Sequence, residues 1–280
     1  MKHKKLIITL LLVIITIAII TVNSIYFTPH KLSIREETIK SNKISSDFND
    51  YIIAYFSDLH FGTFTNENDL EKLVTTINSI TPDVVIFGGD LIDKDANINE
   101  EELTQKLSNI KASNNKYAVL GDHDAYDENI KTKIENILTK AGFIILNNTN
   151  QKIYSEQSNN FINIVGVDSS YKTAINLESA FENTSDENFT FVISHCPDSF
   201  DNINKFNADY VLAGHSHGPQ IYVPLFNLLY REEGYEKYVR GKHKNNNSIL
   251  DITTGVGLTN KSIRLFSDAE VVFYKLVSTN

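Results

Sequence analysis

Carboxylates and imidazoles recur along this chain in short blocks, each placed just after an apolar run. The blocks read Ser57-Asp58-Leu59-His60, Gly89-Asp90, Gly121-Asp122-His123-Asp124, Ser194-His195-Cys196 and Gly214-His215-Ser216-His217-Gly218. Together they offer the oxygen and nitrogen donors that two adjacent divalent cations need. Asp58 and His60 stand two apart at a strand exit, so both could turn toward one cation from a single loop, with His217 returning to it. His195 and His215 offer imidazole nitrogens to a second. Asp90 has two oxygens and could bridge the pair, and Gly88-Gly89 ahead of it let the backbone turn tightly. Mixed nitrogen and oxygen donors suit Mn, Fe or Zn better than Ca, which prefers oxygen alone. Two such ions roughly 3.5–4 Å apart can activate an oxygen nucleophile and clamp an in-line displacement at phosphorus. The chemistry to expect is metal-assisted hydrolysis of a phosphate ester.

Residues so far apart can meet only if the fold brings their loops together. The runs Tyr51–Phe56, Val84–Phe87, Tyr117–Leu120, Phe161–Val167, Phe189–Ile193 and Tyr210–Ala213 read as buried strands. Ile249–Thr253 and Val271–Leu276 read as closing strands. Amphipathic stretches alternate with them. Asp69–Ser79 places Leu70, Leu73, Val74 and Ile77 on one helical face, and Glu101–Ile110 and Asn129–Ala141 behave similarly. This alternation predicts an α/β core, in which loops at the carboxyl ends of strands converge on one crevice. A chain of 280 residues with 41% hydrophobic content suits one such domain plus a tail.

The tail is at the amino end. Lys2, His3, Lys4 and Lys5 precede the uncharged run Leu6–Val22. At 1.5 Å per residue that run covers most of a hydrocarbon core of roughly 30 Å, and Ile25, Tyr26 and Phe27 complete the span. The positive flank predicts that the amino end stays in the cytoplasm. The organisation expected is a basic tail and transmembrane anchor over 1–27, a juxtamembrane linker with a first strand over 28–50, and a catalytic domain over 51–280. That domain would lie outside the cell membrane, on a single-pass anchor. A cleaved signal peptide is the rival reading, although Val22-Asn23-Ser24 makes a weak cleavage site. A formal charge of −9 leaves no basic footprint, so no nucleic-acid partner is expected. The single cysteine, Cys196, excludes an intrachain disulfide. Ile221–Asn247 interleaves Tyr222, Phe226, Tyr230, Tyr235 and Tyr238 with Arg231, Lys237, Arg240, Lys242 and Lys244. It reads as a loop packed over the site, or as a lid that meets lipid headgroups or an amphiphilic substrate.

Plainer roles are assigned to the remaining polar residues. His3, His30 and His243 read as structural or exposed. Ser57, Ser194 and Ser216 read as turn residues, and Cys196 as packing. A single Asp after a strand is often a cap or turn former, and that role stays open for Asp124.

Taken in order, the blocks D-x-H, G-D, G-x-H-D, H and G-H-x-H resemble the calcineurin-like metallophosphoesterase superfamily over about Tyr51 to Leu276. Phe56-Ser57-Asp58-Leu59-His60, Gly166-Val167-Asp168, His195-Cys196-Pro197-Asp198 and Gly214-His215-Ser216-His217-Gly218-Pro219-Gln220 are most similar to its bacterial membrane-associated YkuE-like branch. The resemblance implies a four-layer α/β/β/α sandwich with two divalent metal ions at its edge. Asp58, His60, Asp90 and His217 would hold the first ion, and Asp90, Asp122, His195 and His215 the second. His123, oriented by Asp124, would protonate the leaving-group oxygen. Asp122 stands where the family has Asn. Its extra negative charge is expected to tighten metal holding and weaken attraction for a dianionic phosphate, favouring a monoanionic diester or slowing turnover. Pro219 replaces a usual Gly and stiffens its loop. The function expected is a dinuclear phosphoesterase or pyrophosphatase acting on a phosphorylated small molecule or a lipid at the membrane surface. A catalytically weak metal-binding surface module and a metal-dependent nuclease are the alternatives.

Overall fold

Strands covered on both faces must be apolar on both faces, and the central strands of this protein meet that demand. In β2 (Ile52–Phe56), Ile53 and Tyr55 face one way and Ala54 and Phe56 the other. The computed structural model describes residues 2–168, 175–223, 231 and 233–280. After α1 (Lys2–Tyr26) and β1 (Leu32–Ser41), the first half runs β2, α2 (Glu67–Ile80), β3 (Val84–Phe87), α3 (Glu100–Ser108), β4 (Lys116–Ala118), α4 (Glu128–Lys140) and β5 (Phe143–Ile145). The second half runs β6 (Thr149–Tyr154), β7 (Phe161–Val167), α5 (Leu177–Ala180), β8 (Thr190–Ser194), α6 (Phe200–Ile203), β9 (Tyr210–Ala213), β10 (Gly241–Asn245), β11 (Ser248–Ile252) and β12 (Ala269–Ser278).

Among the described residues these strands form two six-stranded sheets, ordered β1-β12-β2-β3-β4-β5 and β10-β11-β9-β8-β7-β6. β2 to β5 are mutually parallel, and so are β7, β8, β9 and β11. The apolar stripes of α2, α3 and α4 (Leu70, Leu73, Leu103, Leu107, Ile134, Ile137) bury against Phe56, Val85 and Phe87 on the outer face of the first sheet. Between the sheets, Ile53, Tyr55 and Ile86 meet Ile164, Phe191 and Leu212. Leu177, Phe200 and Ile203 cover the far face of the second sheet at Val192 and Val211. The layers are therefore α/β/β/α. Asn66, Asn99 and Asp127 start the three long helices of the outer layer, each side chain accepting from two backbone N–H groups of the first turn.

The polar segment after α1 is bound into the domain. β1 pairs with β12 in parallel along its full length, from Leu32↔Ala269 to Ser41↔Ser278. Ile39, Ile44 and Phe48 bury into the core between the sheets. The scattered spacing of these apolar residues gave no periodic signal. α1 is different. Leu6, Leu10, Ile14 and Ile17 are all exposed, and the segment Lys2–His30 is long and apolar enough to cross a membrane. It meets the domain at its last turn, where the Arg264 amide donates to the Ser24 carbonyl at 3.0 Å.

Residues 28–50 are thus expected to contribute to stability as core does. Phe48→Ala should destabilise the detergent-solubilised protein by about 3–5 kcal/mol. Urea denaturation followed by circular dichroism measures it; an unchanged midpoint would mark the segment as dispensable.

Candidate metal centre

The chemistry-bearing blocks leave the carboxyl ends of β2, β3, β8 and β9, with Asp122 to Asp124 in the loop just beyond β4, and the backbone in these loops is unusual. Asp58, His60, Asp90, His215 and His217 all take positive φ, between 44° and 66°. Left-handed backbone is disfavoured for residues with a Cβ, so its clustering here marks a locally strained site. Two glycines allow the approach. A Cβ on Gly121 would fall 2.0 Å from Asp90 Oδ1, and one on Gly214 would fall 2.2 Å from Ser57 Oγ.

Every residue expected as a ligand converges on this edge of the sandwich. Asp90, Asp122, His195 and His215 form one group that could hold a cation; Asp58, His60 and His217 form a second, and Asp90 also groups with His60. Asp90 Oδ2 lies 3.2 Å from His195 Nε2 and 3.5 Å from His60 Nε2, which places it between the two groups. Asp122 Oδ1 lies 3.0 Å from His215 Nδ1 and 3.4 Å from His195 Nε2. His217 Nε2 lies 3.2 Å from His60 Nε2 and 3.7 Å from Asp58 Oδ1. Asp58 Oδ1 also accepts from the His215 amide at 2.8 Å, tying the first block to the last.

Outer contacts fix which ring nitrogen points inward. His195 Nδ1 faces the Gly88 carbonyl at 2.7 Å, His215 Nε2 faces the Glu233 carbonyl at 2.8 Å, and His60 Nδ1 faces Asp93 at 2.7 Å. Each of these contacts needs a proton on the outward nitrogen. The inward nitrogen of each neutral ring then carries a lone pair aimed at carboxylate oxygen or at another imidazole. Lone pairs facing lone pairs repel unless a cation stands between them. Asp58 Oδ2 is also buried, with no hydrogen-bond partner among the described residues, although buried polar atoms are usually paired. The residues present therefore fit two divalent cations, with nitrogen and oxygen donors in both groups.

The electrostatics show the same strain. Burial pushes the Asp90 and Asp122 carboxyls up, but His195 beside Asp90, and hydrogen bonds to His195 and His215 at Asp122, bring both below the usual carboxylate range. Asp58 is raised by burial. His195 is buried too, yet Asp90, Asp122 and Asp58 raise it well above an ordinary histidine. His217 is held well below, by burial first and then by His60 and Arg264. The surrounding carboxylates demand positive charge, and His217 cannot readily supply it as a proton.

One expected pairing is corrected. Asp124 does not orient His123. Its carboxylate is fully buried and accepts from the Asp90, Leu91 and Gly121 amides at 2.8, 2.8 and 3.0 Å. Burial and the nearby Asp90 push it up to about 7. Asp124 is thus a turn carboxylate that locks two ligand loops together. The carboxylate on His123 is Asp93, whose Oδ1 lies 3.1 Å from His123 Nδ1 and also meets His60. Adjacency in sequence misled, because consecutive side chains diverge from the backbone. Asp93 carried a weak signal of its own, a second carboxylate three residues after Asp90. The His123 side chain is 40% exposed. Burial lowers it, but Asp93, Asp90 and Asp122 together raise it to about 9.

Of the aromatic and basic stretch 221–247, residues 224–230 and 232 lie outside the described residues, Phe226 and Tyr230 among them. Past them the chain packs over the second donor group. The Tyr235 ring meets His215 edge-on at 5.2 Å. The Asp198 carboxylate accepts from the Glu236, Lys237 and Tyr238 amides and pins the segment there.

A four-layer sandwich whose strand ends gather two mixed histidine–carboxylate groups around a shared aspartate defines a class, the metal-dependent phosphoesterases. Residues 51–219 match the calcineurin-like phosphoesterase family, and the chain belongs to that family. It is 27% identical over 258 residues to the metallophosphoesterase YkuE of Bacillus subtilis, covering 91% of this chain and 89% of that one. It is 27% identical over 213 residues to the UDP-2,3-diacylglucosamine pyrophosphatase LpxG of Chlamydia trachomatis, covering 61% of this chain and 65% of that one. A transmembrane protein with a metallophosphoesterase domain from Danio rerio is 23% identical over 274 residues, covering 94% and 61%. The chain is accordingly a metal-dependent hydrolase of phosphoric esters.

The two aspartates flanking His123 should separate on substitution. Asp124→Ala removes the acceptor of three buried amides and is expected to lower the melting temperature and the bound metal, as read by thermal scan and elemental analysis. Asp93→Ala should lower turnover while leaving Asp124-dependent stability in place. The reverse pattern would restore the pairing the sequence suggested.

Proposed function

We propose that the protein hydrolyses a phosphate ester or pyrophosphate bond of a substrate at the membrane surface, using two divalent ions, with its catalytic domain outside the membrane that α1 spans. The observation that carries this reading is the pair of donor groups sharing Asp90, with imidazole lone pairs turned inward by outer contacts. Asp58, His60, Asp90 and His217 would hold the first ion, and Asp90, Asp122, His195 and His215 the second. When bound, such a pair supplies Lewis-acid polarisation of a phosphoryl oxygen and an oxygen nucleophile at neutral pH.

The chain's own residues do the rest. His123 stands at the rim of the site with Nδ1 held by Asp93, leaving Nε2 as the proton donor toward a leaving-group oxygen. Its Nε2 lies 4.0 Å from Asp122 Oδ2, so the donor sits beside the second ion group rather than remote from it. Asp124 keeps the loops bearing Asp90 and Asp122 in register. The intact His123–Asp93 pair favours an enzyme over a catalytically weak metal-binding module. The formal charge of −9 weighs against a nuclease. The pyrophosphatase relative with a diacylated sugar nucleotide in its name, and the exposed apolar α1, support a lipid-linked or membrane-surface substrate.

The test is turnover of bis(p-nitrophenyl) phosphate by the purified protein with Mn²⁺, and phosphate release from a membrane lipid extract. Chelation should abolish both and Mn²⁺ should restore them; turnover indifferent to chelator would end the two-ion reading. His123→Asn is expected to lower kcat by roughly 10²-fold or more with bound metal unchanged. Asp122→Asn should release metal at lower chelator concentration and raise the ratio of monoester to diester turnover. An unchanged ratio would remove the charge argument for Asp122.

A further inference from the structure

The end of α1 is built into the loop that supports the first donor group. The Ser24 carbonyl accepts from the Arg264 amide at 3.0 Å, and Thr28 and Pro29 just beyond are buried. Lys31 pairs with Asp268 at 2.5 Å and His30 with Asp69 at 2.9 Å. No slack tether separates helix from domain. Ser24 lies two residues inside the end of α1, about 3 Å along the axis. A loop bonded to it reaches the level at which the helix leaves the bilayer.

Phe266 is two residues past Arg264, so within about 7 Å of it along the chain. Its side chain is 57% exposed and its φ is +53°. A bulky residue in left-handed backbone is disfavoured and persists only where its surroundings impose it. They do so here, because Arg240 Nη1 donates to the Phe266 carbonyl at 3.0 Å and Arg264 Nη1 to the Ser267 carbonyl at 3.0 Å. Ile221, 52% exposed, bridges to Leu265 on the same loop. Tyr26 and Phe27 are exposed at the helix end. Strain that projects an aromatic ring into water gains nothing, whereas the same projection into lipid gains apolar burial, and aromatic residues favour the bilayer interface.

We infer that Ile221 and Phe266 form a rim that enters the headgroup–acyl boundary of the bilayer spanned by α1, and so hold the mouth of the site against that surface. The inference rests on α1 being a membrane span. The rim is tied to the site: Ser267 Oγ donates to the His217 carbonyl at 3.2 Å, and the Arg264 guanidinium donates to the Thr254, Gly255 and Gly257 carbonyls beside Asp58. The substrate class this fits is an amphiphile whose phosphate lies at the membrane surface.

The chain contains no tryptophan, so a single introduced one reports on its own position. Full-length Phe266→Trp, Ile19→Trp and Tyr154→Trp proteins are reconstituted into vesicles of phosphatidylethanolamine and phosphatidylglycerol carrying acyl-chain bromines. Tyr154 lies at the far end of β6, where it pairs with the first residue of β7. The tryptophan at 266 should be quenched several-fold more by shallow bromines than that at 154, and less than that at 19 by deep bromines. Equal quenching at 266 and 154, with 19 quenched, overturns the rim. An unquenched tryptophan at 19 overturns the anchor and the inference with it. The readout needs no turnover, so it is independent of the hydrolase reading. The double variant Ile221→Asp/Phe266→Asp should lose most release of phosphate from vesicle-borne lipid and keep its activity on bis(p-nitrophenyl) phosphate. Equal losses on both would also count against the rim.

Discussion

Carboxylates crowded together away from water set the terms for this structure. Asp58, Asp90 and Asp122 are buried within one cluster of loop ends, with Asp124 behind them and Asp93 at the margin. Two like charges 4 Å apart repel by about 4 kcal/mol even at an effective dielectric constant of 20. Such a cluster holds together only if something positive enters it and something rigid surrounds it. The rigid part is the sandwich. Strands apolar on both faces cannot slide without exposing a side chain from one layer or the other, so their carboxyl ends are fixed points. Protons meet part of the demand, since the carboxylates raise His195 and His215, but burial and its cationic neighbours hold His217 well below an ordinary histidine. Divalent cations meet the requirement with fewer charges to place.

The backbone shares the load. Five of the clustered donor residues sit in left-handed conformations, and Asp124 offsets part of that strain by giving two oxygens to three buried amides. Its raised proton affinity comes from burial first and from the nearby Asp90 second. Asp93 is placed differently, partly exposed at the edge of the cluster, where one oxygen serves both His60 and His123. A single carboxylate thereby ties His60 of the first donor group to His123.

Much of this was legible from residue order. Val84–Phe87 is continuously apolar because both its faces are covered, and the expected range agrees with the strand observed. The clustered donor residues were legible because each follows such a strand. What escaped lacked that contrast. Gly241–Asn245 is an edge strand of polar residues, paired on one side to β11, and nothing in Gly-Lys-His-Lys-Asn marks it. Thr149–Tyr154 is a second polar edge. Asp93 escaped for another reason: its partner is chosen by how two loops cross, which spacing along one loop does not encode. Asp124 shows the converse, since its local position invited a pairing with His123 that the turn geometry forbids.

Arg264 joins the end of α1 to the turns beside the donor groups. It is fully buried, and burial pulls its guanidinium down to about 10. A buried cation without a paired carboxylate is costly unless its protons are used, and both Nη atoms here donate to backbone carbonyls of residues 254, 255, 257 and 267. Those carbonyls belong to the turns that stand against Asp58 and His217. Its own amide holds the last turn of α1. A flexible tether at this point would let the domain sample every orientation relative to α1, and the bond to Ser24 removes that freedom. Fixing the helix end to the residue that braces the turns against Asp58 and His217 makes the orientation of the donor groups relative to α1 a property of the fold.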